Sequence, residues 1–259
     1  MQTAGGFPVL IRAFRLALVV EGLRPHTVYN YTRNAERLAT YFQDRVPKSI
    51  SASDIRTYVA TLQERFAPKT IHEAQLALRR FFRYLVREGE IRRDPTSDMK
   101  LMRYRVNPQP TYTEAEVRRL LAVCDQRTRE GVRDRALVTV LFDTGAREGE
   151  IVSMGLPDWE LRTVWVDGKT GKRQVYLGVA ALQSVERYTR RWGIMEGPLW
   201  IGKKGQLTGS GILQIIRRLC LRAGVEHKTV HGFRRAAAAQ MKRLGMNDSD
   251  ILEVMGWKD

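Results

Sequence analysis

Four stretches of helical periodicity fill roughly the first hundred residues of this 259-residue chain. The connections between them are too short for anything but side-by-side packing. The first runs from Phe7 to about Val20 and stops near Gly22. After the turn Arg24-Pro25-His26-Thr27 a second continues through Phe42, with Tyr31, Leu38 and Phe42 in its apolar stripe. Ser51-Ala-Ser-Asp54 has the form of a cap for a third, which extends through Leu62. Ala67-Pro68-Lys69-Thr70 opens a fourth that reaches about Val86 and turns Ile71, Leu78, Phe82 and Leu85 inward. The pattern predicts a small helical bundle.

The opposite faces of the second and fourth helices are basic and polar. Arg24, His26, Tyr29 and Arg33 form one set, and Lys69, His72, Arg79, Arg80 and Arg83 the other. Taken singly these are solvated helix faces. As a group they suit a phosphate backbone, which such side chains position without reading its sequence. The chain carries a formal net charge of +16 and a pI near 10.3, so a polyanionic partner is expected. Nucleic acid leads, and an anionic membrane surface comes second. The early apolar run from Phe7 to Leu23 is broken by Arg12, Arg15 and Glu21 and is too polar to span a membrane. Cys124 and Cys220 suggest neither a disulfide framework nor a zinc site, and the four histidines show no ligand spacing, so no metal or cofactor is expected. A reducing cytoplasm fits this composition, and nothing resembles a signal peptide.

Arg92-Arg-Asp-Pro95 ends the bundle, and residues 102–111 read as an extended linker containing Pro108 and Pro110. The expected domains are therefore 1–106 and 107–259. Thr113-Glu-Ala-Glu116 is a capping-box signature that starts the second. A buried helix follows from Arg133 to Phe142, walled by Leu137, Val138, Val140 and Leu141, and Thr144-Gly145 breaks it. Arg147 opens a further helix, with Glu150 three residues on and able to pair with it. Two strands, 163–167 and 174–177, flank a glycine-bounded tip that holds Lys169 and Lys172. Gly168-Lys169-Thr170 is not the end of a P-loop, because Thr163 stands where the earlier glycine belongs and a hairpin, not a helix, follows. Beyond lie helices at 179–192 and 211–221, a short strand at 199–201, and the basic loop 202–205.

The last stretch, from Lys228, holds His231-Gly-Phe-Arg234, an alanine run of high helix propensity, and a final helix from Asp248 to Met255 stopped by Gly256. If a helix opens at His231, then His231 and Arg234 share a face near its N-terminus, where unpaired N–H groups also favour an anion such as phosphate.

Arg147 after a Thr-Gly turn, Lys169 in a hairpin, His231-x-x-Arg234 on a helix and Trp257 after a glycine occur in that order. The set resembles the tyrosine recombinases, or phage-type integrases, over nearly the whole chain. That resemblance implies a mainly α fold with a small β-sheet: a helical, SAM-like core-binding domain followed by a mixed α/β catalytic domain. It implies Arg147 and Arg234 as phosphate ligands, Glu150 as the acid that orients Arg147, and Lys169 as the proton donor to the leaving 5′-oxygen. Lys172 competes for that role and joins the DNA-contacting set. The resemblance further implies His231 in proton transfer and Trp257 packed on the site with its indole N–H toward phosphate. Double-stranded DNA is the implied partner, bound by a homo-tetramer in a synaptic complex, with no metal required. Arg235 and Ala236 depart from the His-Thr that commonly follows this arginine. The family's nucleophilic tyrosine is expected two to three helical turns beyond Trp257, where only Lys258 and Asp259 remain. The chain as given is therefore expected to bind DNA without cutting it alone. A catalytically inert DNA-binding regulator of the same descent is the rival reading. A type IB topoisomerase fits the small helical first domain less well.

Overall fold

Proline opens three of the four long N-terminal helices. Its fixed φ suits the first turn, where its missing N–H costs nothing. In the computed structural model, which describes residues 6–43, 45–105, 109–168 and 171–257, these helices are α1 (Phe7–Val20), α2 (Pro25–Phe42) and α4 (Pro68–Arg87). Between them α3 (Ala52–Gln63) begins at a reciprocal capping box of Ser51 and Asp54. The helices pack through α1 on α2 and α2 on α4, with α3 against α4. Phe14 meets Phe81 edge-on at 5.2 Å, and Leu38, Leu78, Phe82 and Leu85 are wholly buried. Chain contacts group residues Met1–Asn107 as one compact unit and Pro108–Asp259 as another.

The second unit is built around α6 (Arg129–Thr144), whose Ala136, Leu137, Val138, Val140 and Leu141 are fully buried. Helix α5 (Glu114–Ala122), opened by the Thr113–Glu116 capping box, packs on α6. So do α8 (Val179–Trp192) and α10 (Val230–Arg243). The short α7 (Glu148–Ser153) lies on an antiparallel hairpin of β1 (Thr163–Gly168) and β2 (Gly171–Tyr176). A second, minimal hairpin pairs β3 (Ile201–Gly202) with β4 (Gly205–Gln206) ahead of α9 (Gly209–Ala223). Helix α11 (Asp248–Met255) packs against α10.

The mainly helical architecture with small two-stranded sheets agrees with the sequence. Details differ. The strand expected at 199–201 moves to Ile201, because Leu199 is spent on a backbone bond to Met154 and Trp200 on the core. Strand β2 begins at Gly171, earlier than its apolar alternation suggested, since glycine at φ +105 turns the chain directly into pairing. Helix α10 starts one residue before His231, with Thr229 as its N-cap.

Candidate active site

Helix ends leave carbonyls without partners, and the C-terminus of α11 satisfies its own in an unusual way. Three consecutive carbonyls each take an arginine. Arg173 Nη1 donates to Val254 O at 2.8 Å, Arg234 Nη2 donates to Met255 O, and Arg147 Nη2 donates to Gly256 O at 2.6 Å. Arg234 Nη1 also reaches Gly145 O, at the end of α6, at 2.7 Å. Cations at helix C-termini also meet the negative end of the helix dipole. Three guanidiniums from three distant elements are thereby gathered at one spot, held by acceptors that leave several of their N–H groups unused.

One carboxylate balances them. Glu150 is fully buried, and Arg147 donates to it through its backbone N (2.8 Å) and Nη1 (2.8 Å). Arg173 adds Nε (3.1 Å) and Nη2 (2.9 Å). Burial pushes the Glu150 carboxyl up, but the hydrogen bonds from Arg173 and Arg147 outweigh it and bring its pKa down to about 2. Arg234 is 3% exposed, and burial followed by the nearby Arg147 lowers its pKa to about 10, so it stays charged at neutral pH. The cluster therefore keeps about two net positive charges from three arginines and one glutamate.

His231, in the first turn of α10, is exposed to solvent. Partial burial, then Arg234, Arg235 and Arg147, lower its pKa, while Glu148 opposes them. The ring is therefore neutral at pH 7 and able to accept a proton. Trp257 lies just past α11, with the Arg234 guanidinium 5.2 Å from its ring centroid. Its contact is thus with the arginine through its face. Lys169 lies outside the described residues. Lys172, its competitor, stands opposite Asp167 on the outer face of the hairpin, whereas Arg173 points inward to Glu150. Of Lys172 and Arg173, the arginine is the one tied into the cluster. Sequence reasoning passed over it because a Lys-Arg pair at a turn reads as solvated; its place two residues before the buried Val175 was the available signal.

The left-handed glycines at both helix ends are part of this geometry. Gly145 (φ +57) leaves 2.7 Å between a would-be Cβ and the Met255 methyl, and at Gly256 (φ +58) a Cβ would sit 3.2 Å from Arg173 Cδ. Gly256→Ala is expected to cost about 1–2 kcal/mol from the left-handed backbone alone and to push Arg173 off Glu150. Urea denaturation checks this, and an unchanged midpoint would contradict it.

The basic residues of the first unit are divided. Arg24, His26, Tyr29, Arg33, Lys69 and Arg83 are exposed, with Arg33 donating to the Tyr29 hydroxyl at 2.6 Å. His72 and Arg79, expected on an open face, instead turn to the segment that follows the bundle. His72 Nδ1 lies 2.8 Å from Met102 O, and Arg79 donates to Met99 O. Between them the buried Gln75 donates to Lys100 O at 3.0 Å and accepts from Met102 N at 2.6 Å. Spaced at i, i+3 and i+7, these side chains lash residues 99–102 along α4. The reason is local: that segment has no strand partner, so its backbone groups take side chains.

Among the described residues no cluster of His, Cys, Asp or Glu suits a metal, and no helix is long and apolar enough to cross a membrane.

The Phage integrase family profile matches residues 110–259, and that of the phage integrase N-terminal SAM-like domain matches residues 10–89. A tyrosine recombinase XerD of Listeria monocytogenes is 27% identical, across 96% of this chain and 90% of its own. A tyrosine recombinase XerC of Pelobacter propionicus is 28% identical, across 95% and 86%. Among solved structures, a lambda integrase dimer bound to a COC′ core site superposes with a TM-score of 0.79 at 17% identity, covering 97% of this chain and 94% of that one. A lambda integrase tetramer bound to a Holliday junction gives 0.80 at 16%, covering 97% and 77%.

Proposed function

Because this chain belongs to the phage integrase family, we propose that it is a site-specific recombinase that breaks and rejoins duplex DNA through a 3′-phosphotyrosine intermediate. The observation that carries this reading is the row of arginines on Val254, Met255 and Gly256. Arg147 and Arg234 hold the non-bridging oxygens of the scissile phosphate with planar donor forks, and Arg173 completes the positive field from behind. Charge on those oxygens grows as the nucleophile attacks, so fixed donors contribute most at the transition state. His231, neutral at pH 7, takes the proton of the attacking phenol. Lys169, on the grounds of its place in the sequence, protonates the leaving 5′-oxygen. Trp257 faces the Arg234 guanidinium with its ring.

None of the tyrosines described in the second unit is suited to attack. Tyr112 and Tyr188 are buried and hydrogen-bonded to backbone, and burial pushes the Tyr188 phenol up to about 12. Tyr176 is exposed but sits five residues along β2 from Gly171, roughly 16 Å from the hairpin tip at strand rise. None of these three is assigned as the nucleophile. Copies of the chain act as a tetramer on DNA, as the lambda integrase tetramer bound to a Holliday junction suggests, and the cytoplasm is the compartment we assign. The exposed basic residues of residues 1–106 grip the duplex backbone, and residues 107–259 do the chemistry.

The placement of the tyrosines also supports the second reading, a DNA-binding regulator with an unused site. Two measurements separate them. Duplex affinity is expected to fall at least about tenfold between roughly 50 and 200 mM salt, under either reading; a flat response would remove the electrostatic clamp. On a nicked duplex that traps cleaved ends, the chain alone forms no covalent adduct, while a mixture with a copy carrying the tyrosine segment does. A DNA-linked band at Tyr176 or Tyr188 would refute the assignment, and a mixture that stays inert would favour the regulator.

A further inference from the structure

His231 and Arg234 act at the start of α10, and a helix N-terminus needs something to hold it. Thr229, the N-cap residue, makes no side-chain cap bond here. The hold comes instead from residues 109–116, the first described segment of the second unit. Tyr112 grips Lys228 by its backbone: the phenol donates to Lys228 O at 2.6 Å and accepts from Lys228 N at 2.9 Å. The same ring stacks on Phe233 at 4.2 Å and 28°. A Cβ at Gly232 would come within 3.1 Å of that ring and 3.2 Å of Pro110 O, so glycine keeps this approach free of crowding. Glu116 takes the Lys228 ammonium on both oxygens at 2.6 Å, and the ammonium also lies 5.1 Å over the Tyr112 ring. Arg235 donates to Gln109 O at 2.6 Å.

These contacts are well protected. Lys228 is 8% exposed and Tyr112 2%. Desolvating an ammonium is expensive unless a carboxylate and hydrogen bonds repay it, and the gain from such a pair lies more in fixed geometry than in stability. Lys228, Gly232, Phe233 and Arg235 all meet this segment, and His231 and Arg234 lie among them in sequence. Tyr112, Glu116 and Lys228 make none of their hydrogen bonds to Arg147, Arg173, Arg234 or Glu150. They act through α10.

We propose that Tyr112, with the Glu116–Lys228 pair, is a positioning device that sets the height and rotation of α10, and so places His231 and Arg234 on the phosphate. This rests on the reading of the site given above. Loosening the device lets the His231 ring move away from Arg234, Arg235, Arg147 and Glu148, the charged groups around it, and hydrate.

The test uses the whole chain with its histidine rings isotopically labelled, the His231 signal being assigned with His231→Asn. Two variants are compared. Tyr112→Phe removes the grip on the Lys228 backbone but keeps the ring stack, and Lys228→Met with Glu116→Gln removes the ion pair without leaving a lone buried charge. In both, the His231 pKa is expected to rise toward its ordinary value. The dissociation constant for inorganic phosphate, read at the same signal, is expected to weaken about threefold or more. A simple loss of fold would lower the melting temperature and leave the folded fraction's titration as it was. Unchanged His231 titration and phosphate response in both variants would overturn the proposal, whatever the melting temperature does. If the parent chain's His231 ignores phosphate, the reading of the site fails instead, and the titration alone decides on the device.

Discussion

Arg234→Ala and Arg234→Lys are both expected to lose strand cleavage by at least about a hundredfold while duplex affinity stays within about threefold. The rate is measured on a nicked duplex with a chain extended through the tyrosine segment, and affinity by titration of an uncleaved duplex. The alanine result alone would say little, because removing a buried guanidinium leaves Gly145 O and Met255 O without their donors, at about 1–3 kcal/mol each. The lysine variant is the informative one. It keeps the charge but offers a point donor in place of a fork, and it cannot serve two helix-end carbonyls and a phosphate together. Near-normal cutting by Arg234→Lys would mean that charge, not geometry, is what the site requires.

Glu150→Gln is expected to cost the fold about 3–5 kcal/mol, the range for removing one partner of a buried charge network. Arg147 and Arg173 would lose their shared anion beside Arg234. The same carboxylate gives the protein a signature in acid. Its folded pKa lies near 2, below the ordinary carboxylate value, so the folded state binds fewer protons than the unfolded state in between. The stabilisation is complete above the ordinary value and fades as pH falls from there toward about 2. A shift of this size corresponds to roughly 3 kcal/mol. Urea unfolding of the parent chain at pH 7, 4 and 3 should therefore show an acid loss that Glu150→Gln lacks. Parallel acid profiles for the two proteins would rule out Glu150 as its source.

The helices were legible because their signals are local. Pro25, Pro68, the Ser51–Asp54 and Thr113–Glu116 capping boxes and the apolar stripes all act within one or two turns, and the helices begin and end close to where those signals lie. The pairing of Arg147 with Glu150 and the shared turn of His231 and Arg234 were legible for the same reason. The carbonyl partners of the arginines were not. Arg147 finds its acceptor 109 residues away, Arg173 81 and Arg234 21. A backbone carbonyl carries no side-chain identity, so no residue type in the sequence marks it as a partner. Arg173 and Lys172 look alike in sequence, and only the pairing register of β1 with β2 and the seat of α7 against them turn the arginine inward. His72 and Arg79 look like a basic face until the chain beyond α4 folds back and offers its carbonyls. Periodicity, caps and charge are properties of neighbours along the chain, and they determined the elements, the basic character and the order of the reactive residues. Which donor meets which helix end depends on packing between segments 21 to 109 residues apart, and that was decided by the tertiary structure alone.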